Sequence, residues 1–274
     1  MIDLHLHTTA SDGECAPADL VQRAWRAGLR TIAITDHDTV AGLAEAQRAG
    51  QQLGMRVIAG IEVTAVHAEK DVHVLGYFVD PGSEDLLAFL AEQRGARVER
   101  VHEMGRRLAA LGCAIDVEAL LAPFNRSGRA VGRPAVAKVL MAKGYVGSIG
   151  EAFHRFIGPD AAAFVPRRGA SPEEVVGVIH HAGGLASIAH PGPSARDHLI
   201  PRMVETGLDA IEAYHTDHDE EAVAKYCAMA RQHGVAISGG SDFHGGARHA
   251  HPTLGIVTLP RDEFERLVER VAVR

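Results

Sequence analysis

Two histidines near the start of the chain have the spacing of metal ligands on one face of a strand. His5 and His7 are separated by one residue in Asp3-Leu4-His5-Leu6-His7, and side chains two apart in a strand point to the same side. Alone, the pair is a weak signal, because histidines on a strand also serve as ordinary hydrogen-bonding groups. It gains meaning if further ligand-type residues occupy equivalent positions.

Seven further His, Asp and Glu residues lie at or next to the ends of predicted strands: Asp12, His37, Glu62, His73, His190, Asp242 and His244. In parallel α/β folds the strand ends line the active site, so we expect all nine side chains to meet there. Imidazole and carboxylate groups suit Zn, Mn or Fe, and this set is large enough for two or three divalent ions. Such ions attract anions and bring the pKa of bound water near neutrality, which predicts hydrolysis of a phosphate ester.

The remaining histidines are predicted to be solvated or core residues. The chain has 17 His, and several of those outside the strand-end set fall on predicted helices. We exclude ten from the site: His67, His102, His154, His180, His181, His198, His218, His233, His249 and His251.

The elements that would position these ligands alternate along the chain. Strands are predicted at 2–7, 29–35, 56–66, 72–79, 185–189, 208–214, 235–240 and 253–259, with helices between them. This alternation is typical of an α/β fold with parallel strands and outer helices, as a barrel or a doubly wound sheet. Residues 95–168 are predicted to be mainly helical and interrupt this alternation of strands and helices. We interpret 95–168 as an insertion that caps the active site, and assign 1–94 and 169–274 to the main domain.

Composition limits the classes of partner. The formal net charge of −7 disfavours binding of long duplex nucleic acid by charge alone, but allows a small phosphorylated ligand in a basic pocket. The three Cys are far apart and form no CxxC, so neither a disulfide framework nor a thiolate zinc site is expected. No signal peptide or membrane span is apparent, and we expect a cytoplasmic protein without a membrane partner.

The ordered motifs resemble those of the PHP (polymerase and histidinol phosphatase) family over nearly the whole chain. They are His5-x-His7, Asp12, Thr35-Asp36-His37-Asp38, Gly60-Ile61-Glu62, His73-Val74-Leu75-Gly76-Tyr77, Ala189-His190-Pro191 and Gly240-Ser241-Asp242-Phe243-His244. The resemblance implies a distorted (β/α)7 barrel with a trinuclear centre, with Mn²⁺ favoured and Zn²⁺ or Fe²⁺ possible. It assigns three ligand sets: His5, His7, Glu62 and Asp242; Asp12, His37 and His244; and Glu62, His73 and His190.

The insertion carries the expectation about substrate. It is similar to that of the family subgroup that acts on nucleoside 3′,5′-bisphosphates, whose relatives also trim RNA from the 5′ end. Gly132-Arg133-Pro134 is typical of a helix start, which favours anions. We predict that substrate is bound by Asn125, Ser127, Arg129, Arg133 and His215. For protonation of the leaving oxygen, the candidates are His215 and Asp38.

The long predicted helix that precedes this region carries its own arginines. Arg94, Arg97, Arg100, Arg106 and Arg107 lie among Glu residues. We predict that they form a solvated face.

Several alternative functions remain open. Ile32–Val40 also fits the strand-then-DxDxT pattern of haloacid-dehalogenase-type phosphatases, with Asp36 as a covalent nucleophile, but that pattern leaves the other ligands unexplained. An amidohydrolase would lack its usual bridging lysine, because no lysine lies at a strand end. Within the family, the alternatives are a 5′-3′ exoribonuclease on short RNA, a histidinol-phosphate phosphatase and a non-catalytic PHP module.

Overall fold

Seven strands form one mixed sheet in which each strand pairs with its neighbours in chain order. The structure is a computed structural model that describes residues 1–125, 128–245 and 254–273, without the side chains of Asn125 and Val273. The strands are β1 (Ile2–Asp3), β2 (Thr31–Ile34), β3 (Arg56–His67), β4 (Lys70–Tyr77), β5 (Leu185–Ile188), β6 (Ala210–His215) and β7 (Ala236–Gly240).

The sheet is nearly closed into a barrel. The Leu4 N–H donates to the carbonyl of Gly239 at 3.1 Å, and Leu6 forms a bridge with Phe243, which joins the segment after β1 to β7. The predicted distorted (β/α)7 barrel is therefore confirmed. The interior is apolar, with buried Leu4, Val74 and Ile188.

Two features of the predicted sheet were wrong. Strand β4 runs antiparallel to both β3 and β5, so the sheet is not all parallel. Only two residues, Ala68 and Glu69, join β3 to β4, and so short a connection permits only an antiparallel hairpin. The strand predicted at 253–259 does not form within the described residues 254–259, where the barrel is already closed by β1 and β7.

Helices surround the barrel and begin at recognisable caps. The helix α7 starts with a capping box, in which the Ser171 hydroxyl accepts from the Glu174 N–H and the Glu174 carboxylate accepts from the Ser171 N–H. The α-helices are α1 (Pro17–Arg26), α2 (Leu43–Leu53), α3 (Glu84–Ala110), α4 (Val117–Asn125), α5 (Arg133–Ala142), α6 (Ile149–Ala152), α7 (Pro172–His181), α8 (Pro191–Ser194), α9 (Ile200–Glu205), α10 (Glu220–His233) and α11 (Arg261–Val273). No helix in the described part of the chain is long and apolar enough to cross a bilayer.

Helix α3 joins two hydrophobic cores. Leu86 and Leu90 in its first half pack on the barrel core. Val101, Met104 and Leu108 in its second half pack on a separate core built from the segment between Val98 and Val165. The predicted boundary at 94/95 falls inside this continuous helix, and the division into two domains stays a prediction.

Candidate metal centre

The nine predicted ligands converge at one end of the barrel. Eight of them belong to groups whose nitrogen and oxygen atoms lie within 4.8 Å of one another. The ninth, His190, places Nε2 3.2 Å from Glu62 Oε1. A cavity of about 380 Å³ opens over this cluster. A larger cavity, of about 840 Å³, lies around Met1, Arg30 and Arg56 at the amino ends of the strands, away from the cluster.

The groups correspond closely to the ligand sets that the family resemblance implied. One contains His5, His7, Glu62 and Asp242, and another adds His7 to Asp12, His37 and His244. The third group differs from the expected set, because His37 joins Glu62 and His73 where His190 was expected.

The reversed direction of β4 explains how His73 reaches the centre. His73 lies near the start of its strand, opposite Thr64 of β3. Since β4 runs antiparallel, its beginning lies at the same edge as the carboxyl ends of the other strands. Glu62 and His73 therefore meet, with His73 Nδ1 2.8 Å from Glu62 Oε1.

Three of the residues that follow strands and adopt the left-handed backbone region are predicted ligands or neighbours of one. They are Asp38 (φ 49°), His190 (φ 27°) and Asp242 (φ 53°). This conformation costs about 1–3 kcal/mol for a residue with a side chain and persists where the surrounding structure enforces it. At His190 and Asp242 this turn directs the side chain into the centre, whereas the side chain of Asp38 turns toward two arginines described below.

Glu62 lies at the middle of the cluster and is completely buried. Its Oε2 atom is 3.3 Å from His5 Nε2, 3.2 Å from His7 Nε2 and 3.1 Å from His37 Nδ1. Its Oε1 atom contacts His73 on β4 and His190 after β5. One carboxylate thus faces five histidines with its two oxygens, and it would contribute to more than one ion if ions were bound there.

The distances between the candidate ligand atoms suit atoms that share a divalent ion. Ligand atoms about 2.1 Å from a shared ion lie about 3.0–3.4 Å apart, which matches the contacts around Glu62. Several of these buried atoms have no hydrogen-bond partner among the described residues, namely His5 Nε2, both ring nitrogens of His7, His37 Nδ1, His73 Nδ1, Glu62 Oε2 and Asp242 Oδ1. Buried polar atoms are normally satisfied, so the convergence of these atoms on a common point fits the binding of a cation.

The electrostatics of the centre also favour cations. Burial opposes ionisation of Asp12, Glu62 and Asp242, but the surrounding histidines outweigh it and hold the pKa of each carboxyl well below its usual range. Burial likewise disfavours a charged His7, yet the close carboxylates of Asp242 and Glu62 raise its pKa to about 10. Burial lowers the pKa of His37 to about 3. Three ionised carboxylates thus share a buried site with His37, a neutral ligand.

Comparison with known proteins decides the family. A profile of the PHP domain matches residues 3–145. The chain belongs to the PHP family. It is 32% identical to a 3′,5′-nucleoside bisphosphate phosphatase of Chromobacterium violaceum, over 98% of this chain and 97% of that protein. It is 35% identical to the 5′-3′ exoribonuclease Rnm of Escherichia coli, over 88% and 84% respectively.

A solved structure shares the fold of the chain. An amidohydrolase from Chromobacterium violaceum with bound sulfate and no metal superimposes with a TM-score of 0.86 at 32% identity, over 98% of this chain and 96% of that chain. The expectation of a metal-dependent phosphoester hydrolase is confirmed by the family match and these relatives.

Glu212 is a residue of this PHP centre that the sequence analysis missed. It is completely buried, its Oε1 is 2.9 Å from His5 Nδ1, and its Oε2 accepts from the His190 N–H at 2.7 Å. A carboxylate that receives the outer ring N–H of a metal-binding histidine fixes the tautomer and directs the other nitrogen to the ion. The signal was present in the sequence as a single Glu inside the apolar strand Ala210–His215.

Asp38 is placed differently from the prediction. Its Oδ2 accepts from Arg97 Nε at 2.6 Å and from Arg167 Nη1 at 3.1 Å, while Oδ1 accepts from the Thr64 N–H at 2.9 Å. Burial is outweighed by the two guanidinium groups, so the pKa of this carboxyl lies far below its usual range. A carboxylate held in this way cannot donate a proton, and the geometry contradicts the predicted acid role of Asp38.

The solvated face predicted for α3 was wrong for its middle part. Arg97 is buried, and besides Asp38 it donates to the Val131 carbonyl and the Thr64 hydroxyl. Arg94 and Arg100 are half-buried and donate to backbone carbonyls. Further along, Arg106 does face solvent and pairs with Glu103, and Arg107 pairs with Glu103 while it also donates to the Phe164 carbonyl.

Two of the predicted substrate contacts, Arg129 and Arg133, are described by the structure but are not among the residues that line the cavity over the predicted ligands, and their role stays a prediction. Arg133 is half-buried, 3.5 Å from Asp71, with its guanidinium over the rings of Phe153 and Phe164. Arg129 stacks over Phe124, and its Nε is buried without a partner among the described residues. Ser127 and the side chain of Asn125 fall outside the described residues.

His215 lies in the wall of the cavity as expected. It is buried, and its Nε2 is 3.7 Å from Asp242 Oδ2. Its Nδ1 accepts from the Asp217 N–H at 3.1 Å, so the neutral ring carries its proton on Nε2, which faces the centre. His218, which was excluded from the site, connects the Ala213 carbonyl to the Gly192 N–H and thereby supports the turn after His190.

Asp36 does not have the surroundings of a covalent nucleophile. Its carboxylate accepts from the Thr8 N–H, the Thr8 hydroxyl and the Ser11 hydroxyl, each at 2.7 Å. These bonds order the loop that carries Asp12. The structure therefore gives Asp36 a role in loop geometry, and the haloacid-dehalogenase interpretation loses its nucleophile.

Proposed function

We propose that the chain hydrolyses the 3′-phosphate of nucleoside 3′,5′-bisphosphates. Water and the phosphomonoester give a nucleoside 5′-monophosphate and inorganic phosphate. We also propose that two to three divalent ions, Mn²⁺ first, with Zn²⁺ or Fe²⁺ as alternatives, are held by the nine predicted ligands. The C. violaceum phosphatase, which is similar over almost the whole chain, supports this choice.

The observation that carries the proposal is an excess of positive charge beside the centre. We call Arg97, Arg100, Arg133 and Arg167 the arginine cluster. Among the described residues, Asp38 and Asp71 are the carboxylates paired with these guanidinium groups, so within that part of the chain four positive charges face two negative ones. Burial is the main cause that lowers the pKa of Arg100 to about 9, and the charge of Arg133 lowers it further while Asp71 opposes the shift.

The arginine cluster is adjacent to the metal ligands. Asp71 and His73 are two residues apart on β4 and point to the same side. Burial lowers the pKa of His73, but the nearby Glu62 outweighs burial, and the net pKa is raised. The charge of Asp71 also raises this pKa, and the charge of Arg167 lowers it. A substrate with two phosphates can place one over the metal ligands and the other at the arginine cluster, whereas a single phosphate leaves the excess charge uncompensated.

The residues of the chain then have separate tasks in the reaction. When bound, the ions supply charge that neutralises the phosphate oxygens and activate water for attack. The arginine cluster and Arg129 hold the second phosphate and fix the orientation of the ester. His215, with its proton on Nε2, donates a hydrogen bond to the departing oxygen, while the carbonyl and N–H contacts of His218 keep the nearby turn in place.

A substrate comparison tests the proposal. We expect the kcat/KM for adenosine 3′,5′-bisphosphate to exceed that for adenosine 3′-monophosphate and L-histidinol phosphate by about 10²-fold, because one charge-assisted phosphate contact contributes about 1.5–3 kcal/mol. Steady-state phosphate release with Mn²⁺ measures all three. Faster hydrolysis of 5′-phosphorylated oligonucleotides than of the bisphosphate would favour a 5′-3′ exoribonuclease, the activity of the similar E. coli protein.

Arginine variants test the second phosphate site directly. We expect Arg133→Ala and Arg129→Ala each to raise the KM for the bisphosphate by about tenfold or more, with little change for an aryl monophosphate. Arg106→Ala is the matched control, since Arg106 belongs to the same helical region but faces solvent. Equal losses on both substrates would count against a phosphate-binding role.

A further inference from the structure

The cavity over the metal ligands has a polar floor and an apolar side. The floor consists of the histidines and carboxylates of the centre. The apolar side is contributed by Ile149, Phe153 and Pro193. Among the described residues that line the cavity, Phe153 is the only one of the Phe, Tyr and Trp types.

An unusual backbone turn fixes the position of Phe153. This residue opens a π-helix, Phe153–Ile157, in which the Gly158 N–H donates to the Phe153 carbonyl at 2.8 Å. A Cβ atom at position 158 would lie 2.5 Å from that carbonyl oxygen, so the turn requires glycine there. Single π-turns are rare and frequently occur at functional sites, because the extra residue redirects the side chains around it.

The ring of Phe153 is also supported from within the insertion. Phe153 packs on the second hydrophobic core, and the Arg133 guanidinium lies 5.5 Å from its ring centroid. Arg133 is itself placed between Phe153 and Phe164. A phenyl ring backed by a cation and open to a cavity is a suitable surface for a second planar ring.

We propose that Phe153, with Ile149 and Pro193, forms a stacking surface for the nucleobase of the substrate. This inference rests on the proposed function and extends it, because it makes the base a recognised part of the substrate. An extended planar purine covers more of such a surface than a pyrimidine, so the site prefers purine over pyrimidine nucleotides. A phosphate ester without a base gains no binding affinity from this surface.

The test compares matched substrates with and without a base. For Phe153→Leu we expect kcat/KM to fall about tenfold on adenosine 3′,5′-bisphosphate and less than about twofold on abasic ribose 3,5-bisphosphate. Phe153→Trp should retain the wild-type ratio of the two substrates. Phe164→Leu is the control, since it removes a similar contact with Arg133 outside the cavity lining. Equal losses on both substrates would show that Phe153 acts only in packing and would overturn the inference.

A binding measurement separates this inference from the proposed reaction. Calorimetric titration with adenosine 5′-monophosphate and with ribose 5-phosphate requires no turnover. We expect wild-type protein to bind the nucleotide about tenfold more tightly than the sugar phosphate, and Phe153→Leu to lose that difference. If bisphosphates are not hydrolysed but this difference is present, the proposed function fails and the stacking surface stands. If bisphosphates are hydrolysed but the difference is absent, the proposed function stands and the stacking surface is overturned.

Discussion

Replacement of Glu62 by Gln is expected to remove bound metal and to lower kcat/KM by at least about 10³-fold. Both oxygens of Glu62 face histidine nitrogens at 2.8–3.3 Å, and the amide would turn an NH2 group toward one set of them. Loss of the central anion removes about 4 kcal/mol or more of electrostatic stabilisation, which corresponds to this rate. Elemental analysis of the purified protein together with phosphate-release kinetics measures both effects.

Asp36→Asn is the matched control for that experiment. Asp36 is as buried as Glu62 and follows a neighbouring strand, but among the described residues its carboxylate accepts hydrogen bonds from Thr8 and Ser11 and not from a predicted ligand. We expect full metal content and activity within about tenfold of wild type, since Asn retains one acceptor for these donors. A fully inactive Asp36→Asn protein that still holds its metal would instead support a covalent aspartate mechanism.

Replacement of Asp38 by Asn is expected to destabilise the fold by about 3–5 kcal/mol. The substitution leaves Arg97 and Arg167 buried without their shared counter-charge, and breaking a buried ion pair on one side costs about this much. The midpoint of urea unfolding, followed by circular dichroism, measures the change.

Glu103→Gln controls for the loss of an ion pair as such. Glu103 pairs with Arg106 and Arg107 at the surface, and exposed pairs contribute little, so its midpoint should stay close to that of wild type. A stable but inactive Asp38→Asn protein would contradict the structural role and restore the predicted role as proton donor.

The positions of the metal ligands were predictable because they depend on local pattern. An apolar run followed by His, Asp or Glu marks a strand end, and a barrel brings strand ends together whatever the details of packing. This reasoning placed His37 and Asp242 correctly in space, whereas Glu62 lies inside β3 and not at its end. Their role as metal ligands stays a prediction for the experiments above.

Other features depended on contacts between distant segments. The antiparallel direction of β4 is an exception, because the predicted strands 56–66 and 72–79 already left a gap too short for a parallel crossover and therefore implied a hairpin. Arg97 was predicted to face solvent because its neighbours on α3 are charged. Its burial results from residues 131 and 167, which the helix pattern cannot reveal. Glu212 was missed because its carboxylate acts through His5 from inside a strand.

The paired contacts of Asp38 have a consequence for how such enzymes diversify. The chain leaves the barrel near Arg97 and returns near Arg167, and both arginines meet at the same oxygen, Asp38 Oδ2. The two points at which the chain passes between the barrel and residues 98–166 are therefore held together by one carboxylate of the barrel. A segment grafted in place of residues 98–166 needs only to continue helix α3 and to end close to the point where it begins. The entropic cost of bringing the two ends of a longer segment together rises only slowly with its length. New specificities can thus be acquired by exchange of one module while the metal ligands keep their framework.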